Sequence, residues 1–181
     1  MHLRGYRVFG TVLEKAVVGL LALALIWLAV VSLRSGREPT PAEVLPKPFQ
    51  MTGFHLVRDG TYHVLVGGEV EMVPCQTWLD DATGARLTVW CGKFHTQAEA
   101  WEACPKGSDY HAVAGTYRGE PLGEGSWFDP KPVPASAGIS FYVGTYAAAV
   151  VATAGSEPLD PILVEDVARI VLRNIENGGA P

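Results

Sequence analysis

Residues 16 to 33 read AVVGLLALALIWLAVVSL, eighteen positions without a charged side chain. At a helical rise of about 1.5 Å per residue the run measures roughly 27 Å, close to the ~30 Å hydrocarbon core of a bilayer. A helix satisfies its own backbone donors and acceptors in lipid, which few other single segments can do. The run therefore predicts a transmembrane helix, with the rest of the chain on one side of a membrane. A removable signal peptide would need a shorter apolar region, about 7–15 residues, followed by small residues in an A-x-A-like arrangement. Here Ala22-Leu23-Ala24 lies inside the run, and the exit Val30-Val31-Ser32-Leu33-Arg34 is bulky. The expectation is a retained signal-anchor.

Arg4, Arg7 and Lys15 precede the span, and Arg34 and Arg37 follow it. This slight bias predicts a cytoplasmic segment 1–15 and an extracytoplasmic, periplasmic C-terminal domain held at the cell inner membrane. Ala16, Gly19, Ala22 and Ala29 form a drifting stripe of small residues, the kind of surface that lets a second helix approach closely in lipid. Lipid around residues 16–33 and other membrane-protein subunits are thus the expected partners.

After the span, residues 34–48 read as a Pro-rich linker. Pro39, Pro41, Pro46 and Pro48 favour an extended polyproline path. The domain at 49–181 carries sixteen acidic residues against eight Lys and Arg. That balance argues against nucleic acid and against electrostatic adhesion to an anionic leaflet.

From Gly53 the hydrophobic period becomes two. Phe54–Arg58, a turn at Asp59-Gly60, and Thr61–Val66 predict a tight hairpin. Gly67-Gly68 leads to a strand from Glu69 to Leu79, a turn over 80–84, and an antiparallel return from Arg86 to Phe94. Centring that second hairpin on Thr83 places Cys75 opposite Cys91, a candidate disulfide outside the cytoplasm. Cys104 is left as a buried thiol.

Thr96 and Glu99 form a capping box opening a short helix, with Trp101 on its apolar side. Tyr110–Tyr117 alternates as a strand. Residues 119–137 show no period and hold four prolines and three glycines. They read as a long irregular loop, with Trp127 and Phe128 either anchoring a partner or plugging the loop onto the core. Ile139–Val143 and Tyr146–Thr153 read as two core strands, or one strand bent at Gly144. Asp160 caps a final helix that Pro161 opens and Gly178-Gly179 ends, with Leu163, Val167, Ile170, Val171 and Ile175 as its apolar stripe. The fold class is α+β: one N-terminal transmembrane helix, then a mainly antiparallel β-sheet with the C-terminal helix packed on one face.

Chemistry is sparse. No C-x-x-C, P-loop, G-x-S-x-G or H-E-x-x-H motif occurs. His55, His63, His95 and His111 show no metal-ligand spacing. Asp80-Asp81 suits a turn, and Glu165-Asp166 suits the positive end of a helix. The sequence predicts no enzyme, cofactor or metal. It predicts a non-catalytic single-pass accessory or assembly subunit of a larger membrane complex, of the kind respiratory and photosynthetic assemblies carry. The competing expectation is a membrane-anchored extracytoplasmic sensor or ligand-binding module.

Overall fold

The computed structural model describes residues 17–20, 23, 37–105, 113–129, 136–157 and 160–179. Most of the run 16–33, with Ala16, Ala22 and Ala29, lies outside them. Val17–Leu20 and Leu23 are helical. Val17, Val18, Leu20 and Leu23 expose their apolar side chains. Among the described residues, nothing stands within 4 Å of where a Gly19 side chain would begin. Among the described residues no helix is long and apolar enough to cross a membrane.

A compact unit begins at Pro39. It is an α+β fold built on one antiparallel sheet of seven strands: β1 (Phe54–Val66), β2 (Glu69–Asp80), β3 (Arg86–Lys93), β4 (Val113–Ala114), β5 (Gly125–Phe128), β6 (Ser136–Val143) and β7 (Tyr146–Thr153). Their order across the sheet is β1-β2-β3-β7-β6-β5-β4. The helices are α1 (Pro41–Val44), α2 (Gln97–Ala103) and α3 (Pro161–Glu176), with a 3-10 turn at Pro48–Gln50.

Alternation along the strands divides the core in two. Leu87, Val89 and Cys91 of β3, Ile139 and Phe141 of β6, and Ala148, Val150 and Ala152 of β7 pack with α3. Trp90, Ala147 and Ala149 point the other way and pack with α2, Val64, Val66 and Val73. Helices therefore lie on both faces, where the sequence suggested one. The Asp160 carboxylate caps α3 through the Ile162 amide at 2.9 Å. The buried stripe of α3 is Val164, Val167, Ala168 and Val171. Leu163, Ile170 and Ile175 flank it.

The Pro-rich segment is not extended throughout. Pro41–Val44 forms a helical turn, and Val44 and Leu45 are buried in the α3-side core. Two apolar residues between the prolines reach that core, and burying them outweighs the extended preference.

Asp59-Gly60 does not turn. It lies inside β1, with Asp59 opposite Gln76 and Gly60 opposite Cys75. The hairpin closes instead at Gly67 and Gly68, whose φ values of 60° and 84° are both positive. A type I′ turn demands that at both central positions. β2 is long enough to pair with the whole of β1, so Asp59-Gly60 simply extends the ladder.

The Cys75–Cys91 pairing also fails, by one residue. The Asp80 carboxylate accepts hydrogen bonds from the Ala82 and Thr83 amides, and the Asp80 amide donates to Ala85 O at 2.8 Å. The loop is thus four residues, 81–84, rather than five centred on Thr83. Cys75 stands opposite Trp90, while Cys91 faces the α3 side opposite Ala148. A slip of one sends a side chain through the sheet. All three cysteines are buried thiols, not disulfides.

Candidate functional site

The register aligns one residue from each strand: Gly60, Cys75, Trp90, Ala149, Ser140, Trp127 and Ala114. Along this row two tryptophans flank two small residues. At about 4.8 Å between strands, Trp90 and Trp127 stand roughly 14 Å apart. The α2-side face is therefore hollow between them, and a cleft of about 70 Å³ opens there. Its floor is Gly138, Ser140 and Ala149, and Tyr62, Trp90 and Trp127 line it, with Asp129 also among its residues.

Ring stacking braces each wall. Tyr62 stacks on Trp90 with ring centroids 5.8 Å apart and planes 4° from parallel. Trp127 stacks on Tyr142 at 6.1 Å and 24°. Ser140 Oγ donates to Pro105 O at 3.1 Å. Tyr117, behind β6, donates its O–H to Gly138 O at 3.0 Å. Burial pushes the Tyr117 phenol up to about 12.

Trp127 and Phe128 do not sit in an irregular loop. They belong to β5, opposite Ser140 and Ile139, and alternation sends them to opposite faces. Phe128 packs edge-to-face on Tyr117 at 4.9 Å and 74°, against the α3-side core. Trp127 is half-buried on the α2 side. The two aromatics thus serve different layers, and Trp127 alone borders the cleft. Residues 106–112 and 130–135 lie outside the described set, as does the predicted strand over Tyr110–Tyr117 before Val113. Trp101 is 48% exposed, whereas Ala100 and Ala103 are the buried residues of α2.

The remaining candidates stay dispersed. His55 and His63 pair with Leu79 and Met72, so alternation along β2 puts them on opposite faces. His55 meets the Asp81 carboxylate. His95 Nδ1 lies 3.6 Å from Glu99, and His111 is outside the described residues. Among those described, no group of three His, Cys, Asp or Glu could hold a metal ion. Burial pushes the Cys75 and Cys91 thiols up, away from the reactive thiolate.

Glu165 is a residue the sequence did not reveal. It is fully buried, and its carboxylate accepts from Arg169 Nη2 at 2.6 Å, Arg169 Nε at 3.0 Å and the Arg118 amide at 2.9 Å. Asn174, also buried, donates to Val44 O at 3.1 Å and accepts from Gln50 at 2.9 Å. These groups lock α3 to the 116–122 loop and to the N-terminal entry segment. They are structural ties with every partner supplied from within the fold.

The cleft is apolar, shallow and aromatic. Its volume is well below the ~300–1,000 Å³ usual for small-molecule sites. It suits one inserted side chain or a group of similar size. Compared with known proteins, the chain matches no family model, no curated protein and no solved structure.

Proposed function

We propose that this chain is a non-catalytic, single-pass accessory or assembly subunit of a larger membrane complex. In this reading residues 16–33 anchor it in the cell inner membrane, and the α+β domain works on the extracytoplasmic side. Respiratory and photosynthetic assemblies are the class of complex that carries small subunits of this design. One observation carries the reading: the uncharged eighteen-residue run ends five residues before a folded unit that begins at Pro39. A domain held that closely meets neighbours at the membrane surface. The exposed apolar side chains of Val17, Val18, Leu20 and Leu23 are what lipid or a partner helix would cover. The cleft between Trp90 and Trp127 adds a place for a partner's side chain, as buried aromatics at interfaces often do.

The second reading is a membrane-anchored sensor or ligand-binding module, favoured by the same aromatic walls. Purification of the full chain from membranes in mild detergent separates the two. Co-purification of other membrane subunits in fixed ratio supports the accessory role. A lone chain that binds a small apolar ligand in the cleft supports the module. A chain that washes off membranes with alkaline carbonate ends both.

A further inference from the structure

β2 pairs with β3 only from Cys75 to Leu79. Beyond Cys75 the β1–β2 hairpin runs on without a third strand, through Thr61–Val66 and Glu69–Pro74 to the turn at Gly67-Gly68. One face of this overhang is covered. Val64, Val66 and Val73 pack against Phe94, Ala100 and Ala103, and the Gly67 amide donates to Glu102 at 3.0 Å. The other face is bare. Leu65 pairs with Val70 there, and His63 with Met72. Leu65, Val70 and Met72 are 63%, 65% and 71% exposed. Alternation turns the charges of Glu69 and Glu71 to the covered side. Three adjacent aliphatic side chains therefore stand in water at the tip of a two-stranded ribbon.

The register also fixes which end of the sheet the ribbon leaves. Lys93 pairs with Tyr146, and β2 overhangs β3 past that same end. Tyr146 donates its O–H to Pro39 O at 2.5 Å. The folded unit thus takes up its N-terminal chain at the end from which the bare hairpin projects. Only residues 34–38 separate Pro39 from the uncharged run, and fully extended they reach at most about 18 Å.

We infer that the bare face of the β1–β2 tip, Leu65, Val70 and Met72, rests in the interfacial layer of the lipid bilayer as a second, apolar membrane contact. The inference rests on the anchor reading, since the short connection is what brings a lipid surface to this end. A second copy of the chain is a poorer occupant. Three side chains fall well short of the ~800 Å² per partner that a stable interface buries. The contact is apolar rather than electrostatic, in keeping with the absence of Lys and Arg among residues 61–74.

The test uses the full chain reconstituted in phosphatidylcholine vesicles, with an environment-sensitive fluorophore on Met72→Cys or, as the control, on Ala82→Cys in the turn at the opposite end of the sheet. The native thiols are buried, so the introduced one reacts. The expected result is blue-shifted emission at position 72 that a nitroxide-bearing lipid quenches, and emission at position 82 that only aqueous iodide quenches. If the chain floats with vesicles but both positions answer to iodide alone, this contact does not exist while the anchor stands. Position 72 shielded from both quenchers would mean a protein covers it, and would overturn the inference. A chain that fails to float removes the anchor and this contact together.

Discussion

On the α3 side of the sheet, Ile139, Phe141, Val150 and Ala152 are sealed under a sixteen-residue helix, and two buried polar side chains, Glu165 and Asn174, pin that helix to the chain's N-terminal entry and to the 116–122 loop. On the α2 side, a seven-residue helix covers only part of the same sheet. Small residues at Gly138, Ser140 and Ala149 leave an aromatic-edged hollow there. One sheet therefore carries a closed face and an open face. The closed face holds the fold. The open face has surface to offer other molecules, because its energetic demands are met by fewer contacts.

Phe141→Ala is the sharpest way to test the closed face. The ring is fully buried beneath α3, and its loss costs about 3–5 kcal/mol through transfer and cavity terms. Urea unfolding should show the midpoint collapse, and a change within ordinary error would contradict a sealed core there. Glu165→Ala comes next, at about 3 kcal/mol, because Arg169 then loses its buried partner. Here the double variant Glu165→Met, Arg169→Met gives the discriminating measurement. It should recover much of the loss, since the cost lies in leaving Arg169 with the exposed Glu120 carboxylate, 3.3 Å away, in place of its buried partner rather than in volume. Failure to recover would mean the carboxylate's bond to the Arg118 amide matters more than the ion pair.

How much of this was legible in the sequence depends on what set each feature. Elements declared by local chemistry were readable: the Asp160 cap, the Thr96–Glu99 capping box, the stop at Gly178-Gly179 and the strand β7 all stand where the residues indicate, while β6 starts three residues earlier than its period shows. Features settled by parity were not. Whether the turn after β2 holds four residues or five decides which face Cys91 takes, and that rests on the Asp80 carboxylate capping the Ala82 and Thr83 amides. Asp59-Gly60 gave a genuine local turn signal that the long ladder with β2 overrode. The run Ala147–Ala152 reads as a central strand, which it is. That Ala149 would lie beside Ser140, and so hollow the α2 side between two tryptophans, needs the register of four strands. No single segment contains it. The buried Glu165 was masked by a sound local reason for acid in the first turns of a helix.

Trp127→Ala tests the open face. The side chain is half-buried and stacked on Tyr142, so its loss should cost about 1–2 kcal/mol, clearly less than Phe141→Ala. Under the accessory-subunit reading it also weakens association with partner subunits while the fold persists, measured as reduced co-purification at unchanged circular dichroism. A loss as large as that of Phe141→Ala would make the ring a core plug and erase the distinction between the faces. Tyr117→Phe probes the boundary between them at about 1 kcal/mol, the size of one hydrogen bond. Burial holds the phenol at about 12 against an ordinary 10.0. Its folded value is the raised one, so its contribution is present below pH 10.0 and fades as pH rises toward about 12. The phenylalanine variant should flatten that alkaline decline.

The smallest effect belongs to Asp80, which decided the parity of the β2–β3 turn. The hydrogen bond from the Thr83 hydroxyl, then those from the backbone amides, hold its carboxyl below the ordinary 3.8. A depressed folded value means the contribution is present above pH 3.8 and lost as pH falls through the lower folded value. Asp80→Asn keeps one acceptor oxygen and removes the titration, so its stability should fall less steeply between pH 4 and pH 2 than the parent's, read by thermal melts at ~0.5 pH intervals. The group is largely in solvent, so the change in slope will be slight. Its value lies in what accompanies it. If the paired strands hold the register without the turn, freeing it at low pH should loosen the amides of residues 80–85 to hydrogen exchange while leaving Cys75 paired with Trp90. Exchange spreading to the Cys75–Trp90 pair would show that the turn holds the slip in place, and that the four-strand row beneath the cleft is maintained from a single carboxylate at its far end.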